Sequence, residues 1–387
     1  MRICIVYDCL FPHTVGGAER WYANLAERLV QEGHAVTYLT LRQWDRGAKP
    51  EIDDRVRVVA AGPRMALYTA GGRRRIVPPL VFGLGAFLHL LTAGRRYDAV
   101  HTCSFPYFAL LAAGVVRPLA RFELVVDWFE VWSRSYWLTY LGGVSGRVGV
   151  LVQRLCMLVP QRAFCFSALH AERLRRGGLR GPVTVLRGLY GGATEPYTPQ
   201  QAPERIVLFA ARLIPEKQAP LAVSAIACAT RRIEGLLGEF LGEGPERAAL
   251  EAAITRHGLQ GRVFARGFVA AQEVDEKMRR ALCLLLPSRR EGYGLVVVEA
   301  ARWGTPSIVV ASEDNAATEL IEEGVNGFVV ASPDAGEIAD AIVRANEAGM
   351  SLRESTTSWF ARNATRLSLE SSLRAVLASY ARVSVRT

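Results

Sequence analysis

The sequence predicts an α/β protein made of two doubly wound domains, and two observations lead to this prediction. Short, almost entirely apolar segments alternate with helical patterns along both halves of the chain, as in parallel sheets covered by helices. Between the halves, residues 191–205 read GGATEPYTPQQAPER, a composition typical of a linker. The chain has 387 residues and is 50% hydrophobic, which is enough to give each domain its own core. We expect domains at 1–195 and 196–360, and a helical segment at 361–387 that packs back toward the first domain.

The first half begins with the strand RICIVYD (2–8), which is apolar enough to be buried on both faces of a sheet. A turn containing Gly16 and Gly17 follows, and then the helix AERWYANLAERLVQEG, which Gly33 ends. Further strands are predicted at 34–40, 98–104, 122–128, 162–167 and 182–188. Because ligands bind beyond the carboxyl ends of such strands, the cleft between the two domains is the expected site.

An uncharged run, IVPPLVFGLGAFLHLLTA (76–93), lies in the first half directly after Arg73, Arg74 and Arg75. Its 18 residues reach the lower limit for a membrane span. Two prolines, two glycines and a histidine interrupt it, so a core helix or a helix lying at a membrane interface is favoured.

The second half repeats the alternation of strands and helices. The predicted strands are RIVLFAAR, LLGEFLG, RVFARGF, ALCLLLPS, PSIVVAS and NGFVVAS. The predicted helices are APLAVSAIACATRR, ERAALEAAITRHG and LVVVEAARWG. The pattern therefore predicts a second sheet of the same type.

The positive charge lies almost entirely in the first half. Residues 1–195 hold 25 Arg/Lys and 14 Asp/Glu, whereas residues 196–387 hold 22 and 23, within a net charge of +10. This asymmetry suggests an anionic partner for the first half, and an arginine-rich solvated surface is the alternative. The seven cysteines include no CxxC pair, which indicates reduced thiols in a cytoplasmic protein rather than disulfides or a zinc site.

The segment SRREGYGLVVVEAARWGTP (288–306) places Glu291 and Glu299 on either side of the turn Gly292-Tyr293-Gly294. The helix after the turn offers free N–H groups to a phosphate, while carboxylates accept hydrogen bonds from hydroxyls. A phosphate flanked by hydroxyls on two sides describes a nucleoside diphosphate sugar, with one glutamate for the ribose and one for the sugar. The alternative is a helix with two solvent-facing acids.

A second cluster, AARLIPEK (210–217), places Arg212 and Lys217 in one loop after a strand. These cations can neutralise a diphosphate leaving group. The alternative is a pair of solvated surface charges.

Six motifs together resemble a retaining family 4 glycosyltransferase of the GT-B fold, in which two Rossmann-like domains face a central cleft. They are GGAER, ARLIPEKQAPLAVSAIA, FLGEGPERAAL, FARGFV, EGYGLVVVEAARWGTPSIVV and EGVNGFVV, in the order that the family keeps. The resemblance implies that Glu291 contacts the donor sugar and Glu299 the ribose, while Arg212 and Lys217 bind the diphosphate. The other implied donor contacts are the backbone at Gly292, Tyr293 and Gly294, the turn at Gly16 and Gly17, and a base-binding position near Phe268. For Phe268, a buried core phenylalanine is an equally good interpretation.

On the acceptor side, many relatives carry a histidine where this chain reads VVDWFEVW, so Asp127 is the implied acceptor-facing residue. His101 is the other candidate. Aromatic residues crowd the same segment at Trp128, Trp132 and Trp137, and they suit a sugar ring, a lipid carrier or ordinary core packing.

The predicted activity is transfer of a hexose, with retention of configuration, from a UDP- or GDP-sugar to a glycan or lipid-linked acceptor in polysaccharide or glycolipid synthesis. No Asp-x-Asp motif occurs, which favours a metal-independent transferase without a cofactor, and nucleic acid is not an expected partner. A sugar-nucleotide epimerase on the same fold and a non-catalytic partner subunit are the alternatives. The basic first half and its uncharged run suggest a cytoplasmic enzyme, peripheral on the anionic inner face of the cell membrane.

Overall fold

A computed structural model describes residues 1–45, 47–67, 69, 74–195 and 197–384, with the backbone alone for 381–384. The chain forms two compact units: unit 1 is Met1–Arg187 with Glu370–Thr387, and unit 2 is Gly188–Leu369. The first boundary lies before Gly188 rather than after residue 195, because the backbone of Tyr190 hydrogen-bonds to Leu367 and Leu369. The returning segment begins at Glu370 rather than at residue 361.

Unit 1 contains a seven-stranded parallel sheet in the order β3-β2-β1-β4-β5-β6-β7. Its strands are β1 Arg2–Val6, β2 Ala35–Thr40, β3 Arg57–Ala60, β4 Ala99–Cys103, β5 Glu123–Trp128, β6 Arg162–Cys165 and β7 Val183–Val185. The six strands predicted for this half are present. The sequence did not predict β3, an edge strand that is only half-buried and therefore lacks the apolar pattern of the central strands.

Seven helices accompany this sheet in the described part of unit 1. They are α1 Gly17–Gln31, α2 Val77–Ala93, α3 Tyr107–Ala120, α4 Arg134–Leu141, α5 Gly143–Leu158, α6 Ala168–Arg176 and, from the C-terminal segment, α12 Leu369–Ser384. Helix α2 packs on α3, and α3 packs on α5. Among the described residues, the stretch Val77–Arg96 is the one helical segment long and apolar enough to cross a membrane by length and composition. One face of α2 is nevertheless buried in unit 1, through residues that include Phe82, Ala86 and Leu90.

Unit 2 contains a six-stranded parallel sheet in the order β10-β9-β8-β11-β13-β15, and a separate two-stranded pair of β12 with β14. The strands are β8 Ile206–Ala210, β9 Leu237–Leu241, β10 Val263–Gly267, β11 Cys283–Leu286, β12 Arg290–Glu291, β13 Ser307–Val310, β14 Asp314–Asn315 and β15 Gly327–Val330. The helices are α7 Ala219–Ala229, α8 Arg247–Arg256, α9 Ala271–Arg280, α10 Leu295–Arg302 and α11 Ala335–Leu367, which is kinked at Gly349. The six strands predicted for this half form the main sheet, and the two two-residue strands were not predicted.

All seven cysteines are free thiols, and six of them are buried. Burial raises the pKa of Cys4 and of Cys283 to about 12, so these thiols stay protonated near neutral pH. The cysteines therefore act as small apolar core residues, as the absence of paired spacings predicts.

Candidate functional site

Two loops meet at the carboxyl ends of neighbouring strands in unit 2. Strands β8 and β11 are adjacent and parallel, so the loops that follow them emerge at the same edge of the sheet. The β8 loop carries Lys217 at the end of a short 3₁₀ turn, and the β11 loop carries Glu291. The Lys217 ammonium donates to Oε1 of Glu291, and the two side chains are 17% and 10% exposed. The structure therefore brings one predicted cation and one predicted acid into direct contact.

Further hydrogen bonds hold these two loops together. The backbone N–H of Arg289 donates to the Glu216 carbonyl at 2.9 Å. In the amide orientation that satisfies its neighbours, Gln218 donates to the Pro287 carbonyl at 2.8 Å and accepts from Arg289 Nε at 3.1 Å. The position of Lys217 relative to Glu291 is thus fixed by the backbone of both loops as well as by the ion pair.

Asn315 supports the loop that carries Glu291, and sequence reasoning did not single it out. It lies on β14, directly opposite Glu291 of β12, and is almost fully buried. Its Nδ2 donates to the carbonyls of Ser288 (3.1 Å) and Val310 (2.8 Å), and its Oδ1 accepts from the N–H of Ala317 (3.0 Å). An asparagine soon after a strand is the only sequence signal for this role, and it is a weak one because such residues are common in ordinary turns.

The Gly-Tyr-Gly turn leads from Glu291 into α10. Gly294 has φ +93°, and a Cβ there would lie 2.6 Å from the Cβ of Ala317, so the turn requires glycine for both conformation and space. No side chain caps the N-terminus of α10, which leaves its first N–H groups available to a ligand. Tyr293 is buried, and this burial raises the pKa of its hydroxyl well above the ordinary value. Tyr293 therefore remains neutral over the physiological range.

The remaining predicted donor residues of unit 2 occupy carboxyl-end loops or the first helix turns. Arg212 follows β8 and is exposed, Gly292 is half-buried, and Glu299 is half-buried on α10. Phe268 follows β10 and is 86% exposed, so the alternative of a core phenylalanine is wrong. An exposed aromatic ring at a strand end can stack on a planar base.

In unit 1, the predicted glycine pair lies at the start of α1. Gly16 is the N-cap residue in an extended conformation, and Gly17 is the first helical residue. A Cβ on Gly16 would lie 2.3 Å from Oε2 of Glu19, whereas a Cβ on Gly17 would meet open space. The approach at position 16 involves only the carboxylate end of a flexible side chain and the backbone there is extended, so packing requires glycine at neither position.

The prediction that Asp127 faces an acceptor is not supported by the structure. Asp127 and His101 are both fully buried in unit 1, with His101 Nε2 lying 2.9 Å from Asp127 Oδ2. The same carboxylate oxygen accepts from Nε1 of Trp21 at 2.7 Å, and His101 Nδ1 lies 2.6 Å from the hydroxyl of Tyr380 on α12. Both candidate acceptor residues are therefore parts of a buried polar network, which ties β4, β5, α1 and α12 together.

Among the residues that the structure describes, no group of three or more His, Cys, Asp or Glu side chains is arranged to hold a metal ion. Whether the reaction needs a metal stays a prediction from the missing Asp-x-Asp motif.

Comparison with known proteins identifies the family. The model described as "Glycosyl transferase 4-like domain" matches residues 16–188, and the model described as "Glycosyl transferases group 1" matches residues 197–358. The chain belongs to the group 1 glycosyltransferases. An alpha-D-kanosaminyltransferase from Streptomyces kanamyceticus is 28% identical over 231 residues, which are 59% of this chain and 57% of the relative. The chain thus spans just over half the length of that relative.

Solved structures of similar fold cover the whole glycosyltransferase chain. Sucrose-phosphate synthase from Thermosynechococcus elongatus matches with a TM-score of 0.79 at 18% identity, covering 100% of both chains. The Anabaena protein HepE in complex with UDP matches with a TM-score of 0.74 at 19% identity, covering 99% of this chain and 100% of HepE. These matches confirm the predicted GT-B fold.

Within this group 1 glycosyltransferase, the model for the group covers every predicted donor residue of unit 2. Of these residues, Lys217 and Glu291 are in direct contact, and Gly292, Tyr293 and Gly294 join Glu291 to α10. The prediction for Asp127 fails because a strand-end position in sequence does not reveal that Trp21, His101 and Tyr380 surround it.

Proposed function

We propose that this glycosyltransferase moves a hexose from a UDP- or GDP-sugar to an acceptor hydroxyl with retention of anomeric configuration. The contact between Lys217 and Glu291, beside the uncapped N-terminus of α10, carries the proposal. The cation can bind a diphosphate, and the adjacent carboxylate can accept a hydrogen bond from a sugar hydroxyl. HepE, a protein of similar fold, has been crystallised with UDP and with UDP-glucose.

In the proposed reaction, the bond from the sugar anomeric carbon to the diphosphate oxygen breaks, and the diphosphate leaves with the electron pair. Lys217, Arg212 and the α10 N–H groups stabilise the negative charge that develops on it. Glu291 accepts hydrogen bonds from the sugar, and Glu299 accepts them from the ribose. The acceptor oxygen attacks the same face of the sugar, and its proton passes to a donor phosphate oxygen.

The ion pair also gives Glu291 a second role in this scheme. Because its Oε1 accepts from Lys217, the carboxylate orients the ammonium before a donor arrives. A preoriented charge stabilises the leaving group without reorganising during the reaction, which is why such fixed groups are effective. The exposed ring of Phe268 is proposed to stack on the base, and the Gly16–Gly17 turn to approach the diphosphate.

The acceptor is proposed to be a glycan or a lipid-linked sugar, used in polysaccharide or glycolipid synthesis on the cytoplasmic face of a membrane. Support comes from the excess positive charge of the first half and from its exposed apolar helices. With Asp127 and His101 buried, no acceptor-binding side chain is assigned.

Incubating the purified chain with a panel of UDP- and GDP-sugars tests this function. Release of UDP or GDP, with transfer or slow hydrolysis that keeps the anomeric configuration in NMR spectra, supports it. An epimerised sugar that remains attached to its nucleotide would indicate an epimerase, and no turnover of any donor would indicate a non-catalytic subunit. Lys277→Ala serves as a control for Lys217→Ala, because Lys277 also pairs with a buried glutamate, Glu239, in unit 2.

A further inference from the structure

Large apolar side chains are exposed on one set of neighbouring helices in unit 1. Among the described residues, sixteen large hydrophobic side chains are exposed, and twelve of them lie on α2, α3 and α5. On α2 they are Val77, Leu80, Leu84, Leu88 and Leu91. On α5 they are Val144, Val148, Leu151, Leu155 and Leu158, and on α3 they are Val115 and Leu119. We call these twelve residues the aliphatic face.

The spacing shows that each of the two longer helices presents a continuous stripe. The exposed residues on α2 and α5 recur at intervals of three and four, which places them along one side of each helix. Because α3 packs against both α2 and α5, the stripes belong to one helical layer of unit 1. Exposed apolar patches of this kind usually mark an interaction site.

Helix α5 is oriented with its apolar side outward, and its buried contacts explain why. Gln153 is buried, and its Oε1 accepts from the Tyr107 hydroxyl (3.0 Å) and from Nε1 of Trp137 (3.2 Å). A Cβ on Gly149 would lie 2.3 Å from the Trp137 ring, so this side of the helix must remain next to the tryptophan. The inward side is therefore fixed by glycine and a satisfied amide, and the valines and leucines have to point outward.

Helix α2 is fixed in the same way. A Cβ on Gly85 would lie 1.7 Å from the carbonyl oxygen of Ala61, and one on Gly83 would lie 2.5 Å from Cβ of Phe108. These close approaches allow only one rotation of α2 about its axis, and they leave Leu84 61% exposed. A helix that is apolar on all sides is normally buried all round, so the open side of α2 calls for a partner.

The charged residues on the helices of this layer are all basic. Helices α2 to α5 carry four arginines and no aspartate or glutamate, and Arg147 and Arg154 of α5 are both exposed beside its stripe. Near the C-terminal end of α3, a cavity of about 790 Å³ is lined by arginines and also by Asp98 and Glu123, and Arg117 pairs with Glu123 at 3.7 Å, so the argument from charge rests on Arg147 and Arg154 of α5. The layer therefore combines apolar side chains with cations that have no carboxylate on the same helices.

We propose that the aliphatic face docks on the surface of an anionic lipid bilayer, with the stripes of α2 and α5 in the headgroup region and the arginines at the phosphates. Aliphatic side chains flanked by arginine suit this interface. A second copy of the chain is the other possible occupant. A two-fold dimer would bring Arg147 and Arg154 opposite an identical acid-free layer, so the charges favour the bilayer.

The aliphatic face differs from the Arg73–Arg75 cluster, which the sequence suggested as a membrane contact. Arg74 does not serve as a lipid contact, because its guanidinium pairs with the buried Asp8 and stacks on Phe105 at 5.0 Å. Arg73 lies outside the described residues, while Arg75 is exposed. The docking proposal rests on the proposed function in one respect only, the lipid-linked acceptor. Vesicle binding is measured without a donor, so the docking proposal can fail while the transferase assignment stands.

Vesicle co-sedimentation of the full chain tests the proposal. Vesicles of phosphatidylcholine with about 30% phosphatidylglycerol are compared with pure phosphatidylcholine, at about 0.1 M and about 0.5 M salt. The variants are Leu84→Ser/Leu151→Ser and Arg147→Ser/Arg154→Ser, and the matched charge control is Arg231→Ser/Arg256→Ser in unit 2, where both arginines are exposed. Donor hydrolysis and the melting temperature are measured on every variant, so that loss of fold or of transferase chemistry is distinguished from loss of docking.

We expect binding to anionic vesicles that falls at least about tenfold without the anionic lipid or at the higher salt. The leucine and arginine variants should each lose about tenfold or more in binding, with donor hydrolysis unchanged, and the control should bind like the wild type. Full recovery in the supernatant with anionic vesicles at low salt would overturn the proposal. A dimer in light scattering that the leucine variant converts to a monomer, without vesicle binding by the wild type, would assign the face to a second copy.

Discussion

Replacing Lys217 by alanine should reduce donor turnover by about 100- to 1000-fold, provided that its ammonium stabilises the leaving diphosphate. The magnitude follows from the setting of the side chain. It is 17% exposed and held against a carboxylate that is 10% exposed, so water screens its charge little. Removing one such fixed contact to developing charge typically costs about 2.7–4 kcal/mol at the transition state. Each 1.36 kcal/mol corresponds to about a tenfold change in rate.

The same substitution should also lower stability, because it leaves the Glu291 carboxylate without its cation. We expect a loss of about 1–3 kcal/mol for a partly buried acid deprived of its partner. Lys277→Ala provides the comparison, since Lys277 lies 2.6 Å from the buried carboxylate of Glu239. That variant should also melt at a lower temperature while keeping wild-type turnover.

The assay is release of UDP or GDP by purified variants, with melting temperatures measured in parallel. Lys217→Arg should recover part of the rate, because it restores a cation at the same position. Turnover of Lys217→Ala within about threefold of the wild type would refute the assignment, since the contact would then be worth less than about 0.7 kcal/mol. An equal loss in Lys277→Ala would show that both variants act through stability alone.

Three further outcomes are expected. Arg212→Ala should reduce turnover by about 100-fold without changing the melting temperature, because Arg212 is exposed and makes no salt bridge to a described residue, and Arg231→Ala is the control. Turnover should persist in excess EDTA, whereas loss that Mn²⁺ restores would contradict metal independence. Burial alone would raise the pKa of Glu239, but bonds from Lys277 and Arg266 lower it below the ordinary value. This stabilisation is present above the unfolded-state pKa and is lost as pH falls through the folded-state pKa. The melting deficit of Glu239→Gln should therefore be present at neutral pH and should shrink as pH falls below the ordinary glutamate pKa of about 4.3.

Most of the fold could be predicted because the central strands are buried on both faces. Segments such as ICIV in β1 and CLLL in β11 have almost no polar residue, which is typical of strands in parallel sheets covered by helices on both faces. Strand β3 was not predicted because a half-buried edge strand tolerates polar residues and so lacks a continuous apolar run. The sequence did not predict the unit boundary at Arg187 either, for a different reason. The backbone of Tyr190 pairs with Leu367 and Leu369, and this long-range pairing leaves no mark on the composition of the linker.

The donor side of the site could be predicted because strand order in space follows from the fold. Lys217 and Glu291 are 74 residues apart in sequence, yet both follow strands that end at the same edge of one sheet. Asp127 also ends a strand, and its prediction failed because burial by side chains from α1, β4 and α12 depends on tertiary packing. The stripe on α5 was missed for a related reason. Spacing shows which residues share a side of a helix, but not whether that side faces the core.

Helix α12 has a consequence for the order in which the protein can be completed during synthesis. Unit 1 includes residues from Glu370 onward, so its last helix leaves the ribosome only after all of unit 2 has been made. Until then, His101 lacks the Tyr380 hydroxyl that it contacts at 2.6 Å, and Arg28 of α1 lacks its ion-pair partner Glu370. The newly made N-terminal half therefore lacks both of these contacts until α12 has been made. A nonsense codon near position 370 would remove α12 and leave His101 without Tyr380 and Arg28 without Glu370, even though unit 2 would be almost entirely present.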